Sequence, residues 1–258
     1  MARPLEKISD INDEKELWKV AVKIHHKWSV ISNNKEHFEM VVYDSEWLCS
    51  NRFIFGCMEV VKSGSDIHVI VPPVYRQNFD PLFVVNDTYT IANFQVQLND
   101  LLFKPSAHKY LLKFTGGTKV GDRNVHQIQE KACRLTPFLD ILTGKWNKDQ
   151  LLDVIGVVDE IGYTQVQVGS KKQQVNFVIR DLGNNTITVT LWEAYAVQFI
   201  NYVEQQVDTA IPIVIMIQYA KVKEAFGKYP LSVTNTYNVT KVAINEDTET
   251  IKQFAKMS

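Results

Sequence analysis

The chain has 258 residues, 45% of them hydrophobic and 22% charged, with a formal net charge of −1. That length allows one large domain or two small ones, and the near-zero charge gives no strong bulk attraction to nucleic acid or an anionic membrane. No apolar run reaches the ~20 residues that span a bilayer, and three cysteines with no C-x-x-C pair argue against a disulfide framework and a zinc ribbon.

The N-terminal "MARPLEKISD" is polar and carries no signal-peptide core. Together with the cysteine usage this points to a reducing compartment, cytosol or nucleus. In chain order, "LWKVAVKIHHKWSV" alternates as a half-buried strand, with Val20, Val22 and Ile24 on one face. "HFEMVVYD" and "DIHVIVP" are the second and third strands, and prolines start a short helix in "PPVYRQNFDPLF". "TYTIANFQVQL" and "KYLLKF" follow as the fourth and fifth. The glycine-rich "TGGTKVGDRN" reads as a loop or linker. One helical turn is expected near Asp140.

The second half repeats the plan. "LLDVIGVVDEIGYTQVQV" is one long strand or a strand bent at Gly162, "VNFVIRD" and "TITVTLW" are strands, and "EAYAVQFINYVEQQ" has helical spacing. "PIVIMIQYAKVKEA", the turn "FGK" and "YPLSVTNTYNVTKV" complete five strands, with a short polar helix at the end. Five strands with a helix between the third and fourth is the order of the OB-fold. The expected architecture is all-β with short helices: two tandem five-stranded OB-fold barrels joined by a linker. Its expected boundaries are 1–115 with an insertion at 47–62, a linker with short helical segments at 116–150, and a second barrel at 151–258.

Alternation within "TITVTLW" puts Ile187, Val189 and Leu191 inside and Trp192 on the threonine-lined face. In the fourth strand Tyr219, Lys221 and Lys223 share one face, and Ala220 and Val222 the other. Phe226 sits at the hairpin tip beside Gly227 and Lys228, overhanging that surface. Exposed rings beside lysines suit a single nucleic-acid strand: bases stack on the rings and ammonium groups meet phosphates. On periodicity alone a second reading stands equally, in which Trp192 packs under the helix and Phe226 caps a barrel end.

Residues 151–257 resemble the second DNA-binding OB domain of the replication protein A large subunit, through "LLDVIGVV", "VTLWEAYAVQF" and "YAKVKEAFGKYPLSV" in order. The first half is similar to the preceding OB domain of the plant-type versions, through "LWKVAVKIHHKW", "HFEMVVYDSE", "SDIHVIVP", "YTIANFQV" and "FKPSAHKYLLKF". The resemblance implies sequence-tolerant binding of single-stranded DNA, two stacking aromatics per domain, a nuclear location, and a part in DNA replication, repair or recombination. By position the aromatics fall on Trp192 and Phe226 in the second domain and on Phe38 and Phe94 in the first. Lysines expected at phosphates are Lys221, Lys223, Lys228, Lys171 and Lys172, with Lys23 and Lys109 in the first half. Expected partners are single-stranded DNA and other replication protein A subunits or replication and repair proteins, with no membrane and no small-molecule substrate. The family's N-terminal recruiting domain and C-terminal zinc-containing domain have no counterpart in these residues.

"WLCSNRFIFGCMEVVK" (residues 47–62) departs from the plant-type pattern and reads as an extra hairpin, a partner surface or core filler. His25 and His26 are adjacent on a strand and face opposite sides, so they do not form a metal pair. No phosphate loop, nucleophile elbow or H-E-x-x-H motif occurs, so neither an enzyme nor a cofactor is expected. The rival functions are an OB-fold protein-interaction module with little DNA affinity and a single-stranded RNA binder.

Overall fold

The structure, a computed structural model, describes residues 3–44, 48–54, 57–63, 65–121, 128, 133–166, 172–206 and 211–258. Close-packed contacts divide the chain into two units, Met1–Ser50 with Val61–Ala132 and Asn51–Val60 with Cys133–Ser258. Each is described here by itself.

The first unit starts with β1 (Lys19–Ser32) and β2 (Lys35–Tyr43), joined by a tight turn at Asn33 and Asn34, both at positive φ. Next in the chain, β3 (Leu48–Ile54) and β4 (Cys57–Ser63), whose residues Asn51–Val60 are grouped with the second unit, pair with each other as a separate two-stranded sheet. Then come β5 (Asp66–Val71), α1 (Pro73–Phe79), β6 (Thr88–Ala92), β7 (Gln95–Leu98), β8 (Tyr110–Lys113) and β9 (Lys119–Gly121). Pro73 opens α1 at a position where a missing N–H costs nothing.

β6 and β7 together are the expected fourth strand, bent at Asn93, which takes φ +59. The bend lets β6 pair with β1 and β7 with β8, so the sheet order β7-β8-β5-β2-β1-β6 closes on itself through one strand. The Asn93 carbonyl exposed by the bend accepts the Thr118 hydroxyl at 3.1 Å. Val20, Val22, Ile24, Met40, Val42, Ile67, Val69 and Leu112 fill the interior.

The second unit holds α2 (Phe138–Leu142), β10 (Leu152–Gln165), β11 (Gln174–Arg180), β12 (Thr186–Trp192), α3 (Ala194–Gln205), β13 (Val214–Lys223), β14 (Ser232–Thr234), β15 (Lys241–Ile244) and α4 (Glu249–Ala255). The order β10-β11-β12-β14-β13 closes by pairing β13 with β10. Both units are OB folds, and in each a helix links the third and fourth strands, as the residue patterns predict. α3 lays Phe199 flat on Phe177, with centroids 4.2 Å apart and planes at 6°. Such a pair adds about 0.5–1.5 kcal/mol beyond its buried area. Thr248 caps α4 by accepting the Ile251 N–H.

One irregularity governs the surface of this barrel. In β13, Ile215 and Ile217 point into the core, and so do Ala220 and Val222. A regular strand cannot do both, because side chains alternate with period two. The register shift supplies the switch: Leu152 faces Ala220 and Val154 faces Ile217, so Gln218 and Tyr219 together oppose the single residue Asp153. Tyr219 takes φ +54, the left-handed region, which costs a non-glycine residue roughly 1–2 kcal/mol. Its N–H donates to the Asp153 carboxylate at 2.9 Å, and its carbonyl accepts the Thr240 hydroxyl at 2.9 Å. The expected grouping of Tyr219 with the lysines is therefore corrected: Tyr219 is buried at the bulge, and the strand beyond it turns Lys221 and Lys223 outward.

Asp153→Ala leaves the Tyr219 amide without its acceptor, a loss of about 1–3 kcal/mol. A fall in the thermal midpoint of the second unit is the expected outcome of a melting experiment. An unchanged midpoint would show that the carboxylate does not hold the bulge.

Candidate nucleic-acid interface

In the second barrel the face opposite the core is set by register. β11 offers Gln174, Asn176 and Val178, and β12 offers Trp192, Thr190 and Thr188 directly across from them. Thr188 and Thr190 pair in turn with Ser232 and Thr234 of β14, and those with Lys223 and Lys221 of β13. Two rows result, Asn176–Thr190–Thr234–Lys221 and Val178–Thr188–Ser232–Lys223, with Gln174 and Trp192 forming the next row at one end.

Trp192 is partly buried on this face, and the Lys223 ammonium lies 5.3 Å from its ring centre. A cation at that distance is attracted by the ring's negative π-face. The Trp192 backbone N–H donates to the Asn235 side-chain oxygen at 2.8 Å, which pins the end of β12. Directly after it, Glu193 takes φ +52 as the chain turns into α3. Lys221 has its pKa pushed down, mainly by burial and then by the charge of Lys223. An anion beside these two ammonium groups would counter that shift by favouring their charged forms.

The β13–β14 hairpin closes with two backbone hydrogen bonds of 3.0 Å between Phe226 and Tyr229. Gly227 supplies the φ of +58 that the tight turn requires. Phe226 is 83% exposed at its tip, so the reading in which it caps the barrel does not hold. The Lys228 ammonium lies 5.6 Å from the Tyr229 ring, which is also exposed. Glu224, the acid on this hairpin, is ion-paired with Lys148. By register the hairpin adjoins the Lys223 end of the face and Trp192 ends the other, so the lysines stand between the two rings' backbone positions. Lys172 is exposed just before β11, and Lys171 and Trp47 lie outside the described residues.

The first barrel differs. Phe38 is 1% exposed and Phe94 2%, both within the core cluster. The expectation that they stack bases is corrected. Phe38 alternates with His37 and Glu39 and so shares the inward face with Met40 and Val42. Phe94 follows the Asn93 bend and packs inside. The Lys23 ammonium donates to the Ile128 carbonyl at 3.2 Å rather than standing free. Lys109 is exposed with its ammonium 5.0 Å from the Tyr110 ring, and its pKa is raised by the hydrogen bond and charge of Tyr110.

The residues that do line the outer face of this barrel include one that periodicity missed, Trp28. A register shift between Ile24 and His26 turns it to the Glu39 side of the sheet, away from the core cluster, where it remains buried. It stacks on His68 with planes 16° apart and centroids at 5.6 Å. Glu39 accepts from the ring nitrogens of His68 and His37, each at 3.1 Å. Burial alone would raise the Glu39 pKa, but the two imidazoles outweigh it and hold the pKa below its usual value.

With the geometry set, comparison with known proteins places the chain. A family model described as domain of unknown function DUF223 matches residues 9–144, and one described as replication protein A OB domain matches residues 143–242. The chain belongs to the DUF223 family. The replication protein A 70 kDa DNA-binding subunit of Drosophila melanogaster is 26% identical over 184 residues, covering 68% of this chain and 28% of that protein. A solved structure of a replication protein A heterotrimer bound to ssDNA aligns with 98% of this chain and 54% of its own at TM-score 0.55 and 17% identity. This likeness is one of fold. The chain thus spans little more than a quarter of the fly subunit.

A depressed Glu39 pKa stabilises the fold above the ordinary carboxylate range, and that contribution disappears as pH falls through the folded-state value. Glu39→Gln should therefore melt below the wild type at neutral pH, with the difference shrinking as pH falls below the ordinary carboxylate range and through the lowered folded-state value. A difference that does not change with pH would deny Glu39 this role.

Proposed function

We propose that this protein is a non-catalytic binder of single-stranded DNA, tolerant of sequence, whose principal site is the outer face of the second barrel. The observation that carries the reading is the pairing of Trp192 with the Lys223 ammonium on that face, with the bare Phe226 ring at the adjoining hairpin. Trp192 and Phe226 each take one base. Lys221, Lys223, Lys228 and Lys172 take phosphates. Support comes from the replication protein A OB domain match over this unit and from the relative's description as a DNA-binding subunit. The reading places the protein in the nucleus, on the single strands of replication, repair or recombination, with other replication protein A subunits as candidate partners.

The first barrel supplies a weaker site. Its outer face carries Trp28, His68, His37 and Glu39 bonded to one another, so fewer free groups face a strand. Tethering still makes its engagement intramolecular once the second barrel is bound.

The test is titration of a labelled oligothymidine of about thirty nucleotides, long enough for two OB sites at roughly 4–16 nucleotides each. Saturable binding is expected. With four phosphate contacts, raising salt fourfold should weaken it about fiftyfold. Trp192→Ala with Phe226→Ala should weaken it roughly thirtyfold or more, at ~1–3 kcal/mol per stacked base, with an unchanged melting curve. No binding by the wild type would favour a protein-interaction module. Stronger competition by an RNA oligomer would assign the site to RNA.

A further inference from the structure

β10 carries an aromatic residue that the proposed site does not use. Its pairing with β11 slips between Ile161 and Thr164, so Gly162 and Tyr163 together oppose one residue, Asn176. The glycine permits the slip: a Cβ at position 162 would stand 3.3 Å from the Asn176 carbonyl oxygen. A bulge of this kind re-aims side chains. Tyr163 is 55% exposed, and its hydroxyl donates to the Gln165 side chain at 3.0 Å. Gln165 pairs with Gln174, which pairs with Trp192. Tyr163 therefore lies on the Trp192 face, one row in from that ring.

That row carries a second, independent signal. The Asn176 side-chain oxygen and the Thr234 hydroxyl are both buried with no hydrogen-bond partner among the described residues. Each such group costs about 1–3 kcal/mol if nothing completes it. The two lie in one row, Asn176–Thr190–Thr234–Lys221, which Tyr163 heads from the far strand. A nucleobase has the matching chemistry: a π-face for the phenol ring and N–H and carbonyl groups along its edge for the amide and hydroxyl.

We propose that Tyr163 is a third base-stacking position of the second barrel, that Asn176 on the adjacent strand takes the edge of the base seated on it, and that Thr234, two strands further along the row, takes the edge of a neighbouring base. This rests on the single-strand reading of the Trp192 face. The proposal extends the site across the whole sheet, from the Phe226 hairpin to β10, and lines it with polar groups for base edges.

The experiment titrates the full chain, as wild type, Tyr163→Ala and Tyr163→Phe, with two labelled strands of equal length. One is oligothymidine; the other is made of abasic deoxyribose phosphates and is measured at low salt, where phosphate contacts hold it. Stacking predicts that Tyr163→Ala weakens oligothymidine binding about five- to hundredfold. It also predicts an unchanged affinity of that variant for the abasic strand, and Tyr163→Phe within twofold of wild type on both. Equal affinity of Tyr163→Ala and wild type for oligothymidine overturns the proposal while leaving Trp192 and Phe226 in place. So does an equal loss on the abasic strand, which would mark a structural role. Failure of the wild type to bind either strand overturns the proposal together with the reading beneath it.

Discussion

A closed barrel has one inside, and the bulge at Tyr219 decides which residues of β13 occupy it. Before the bulge the odd-numbered isoleucines are inward; after it, the even-numbered alanine and valine are. Without the extra residue, burying Ile215 and Ile217 would drag Lys221 and Lys223 into the core, where unpaired ammonium groups are costly. The Asp153 and Thr240 side chains hold the bulge by taking the amide and carbonyl that Tyr219 withdraws from the ladder. The positive charge of the proposed binding face is thus secured from beneath by residues that do not stand on it.

The two barrels share a topology and differ in how they use the outer sheet face. In the second, the face carries threonines, partly buried Trp192 and lysines held near it. In the first, the corresponding face carries a tryptophan already stacked on a histidine and a carboxylate already shared by two histidines. Pro72 follows β5 where Trp192 ends the equivalent strand β12, so the first barrel offers no ring at that position. The proposed division of labour rests on these side chains, because the fold alone would serve either role.

Strand order, helix placement and the outward direction of Trp192 were all legible in the residue pattern, since each depends on an unbroken run of alternation. What escaped were the places where the alternation slips. The shift after Ile24 hid Trp28 and the bulge hid the burial of Tyr219, while Gly162 marks a bend beyond Ile161 without showing that it turns Tyr163 outward. A bulge inserts one residue against a partner strand, and the partner's identity is not written in the local sequence. The error at Phe38 has a different origin. The resemblance alone puts a stacking ring at Phe38, whereas the structure has it share the inward face with Met40 and Val42. The bend at Asn93, which splits the fourth strand, likewise serves barrel closure and leaves only an asparagine as its trace.

The most direct measurement is a two-dimensional amide NMR titration of the isotopically labelled protein with oligothymidine. The account predicts that the Trp192 indole resonance and the backbone amides of Lys223 and Gly227 shift together and saturate together, while those of buried Phe38 and Phe94 stay in place. Saturable binding that leaves Trp192, Lys223 and Gly227 unmoved would contradict it.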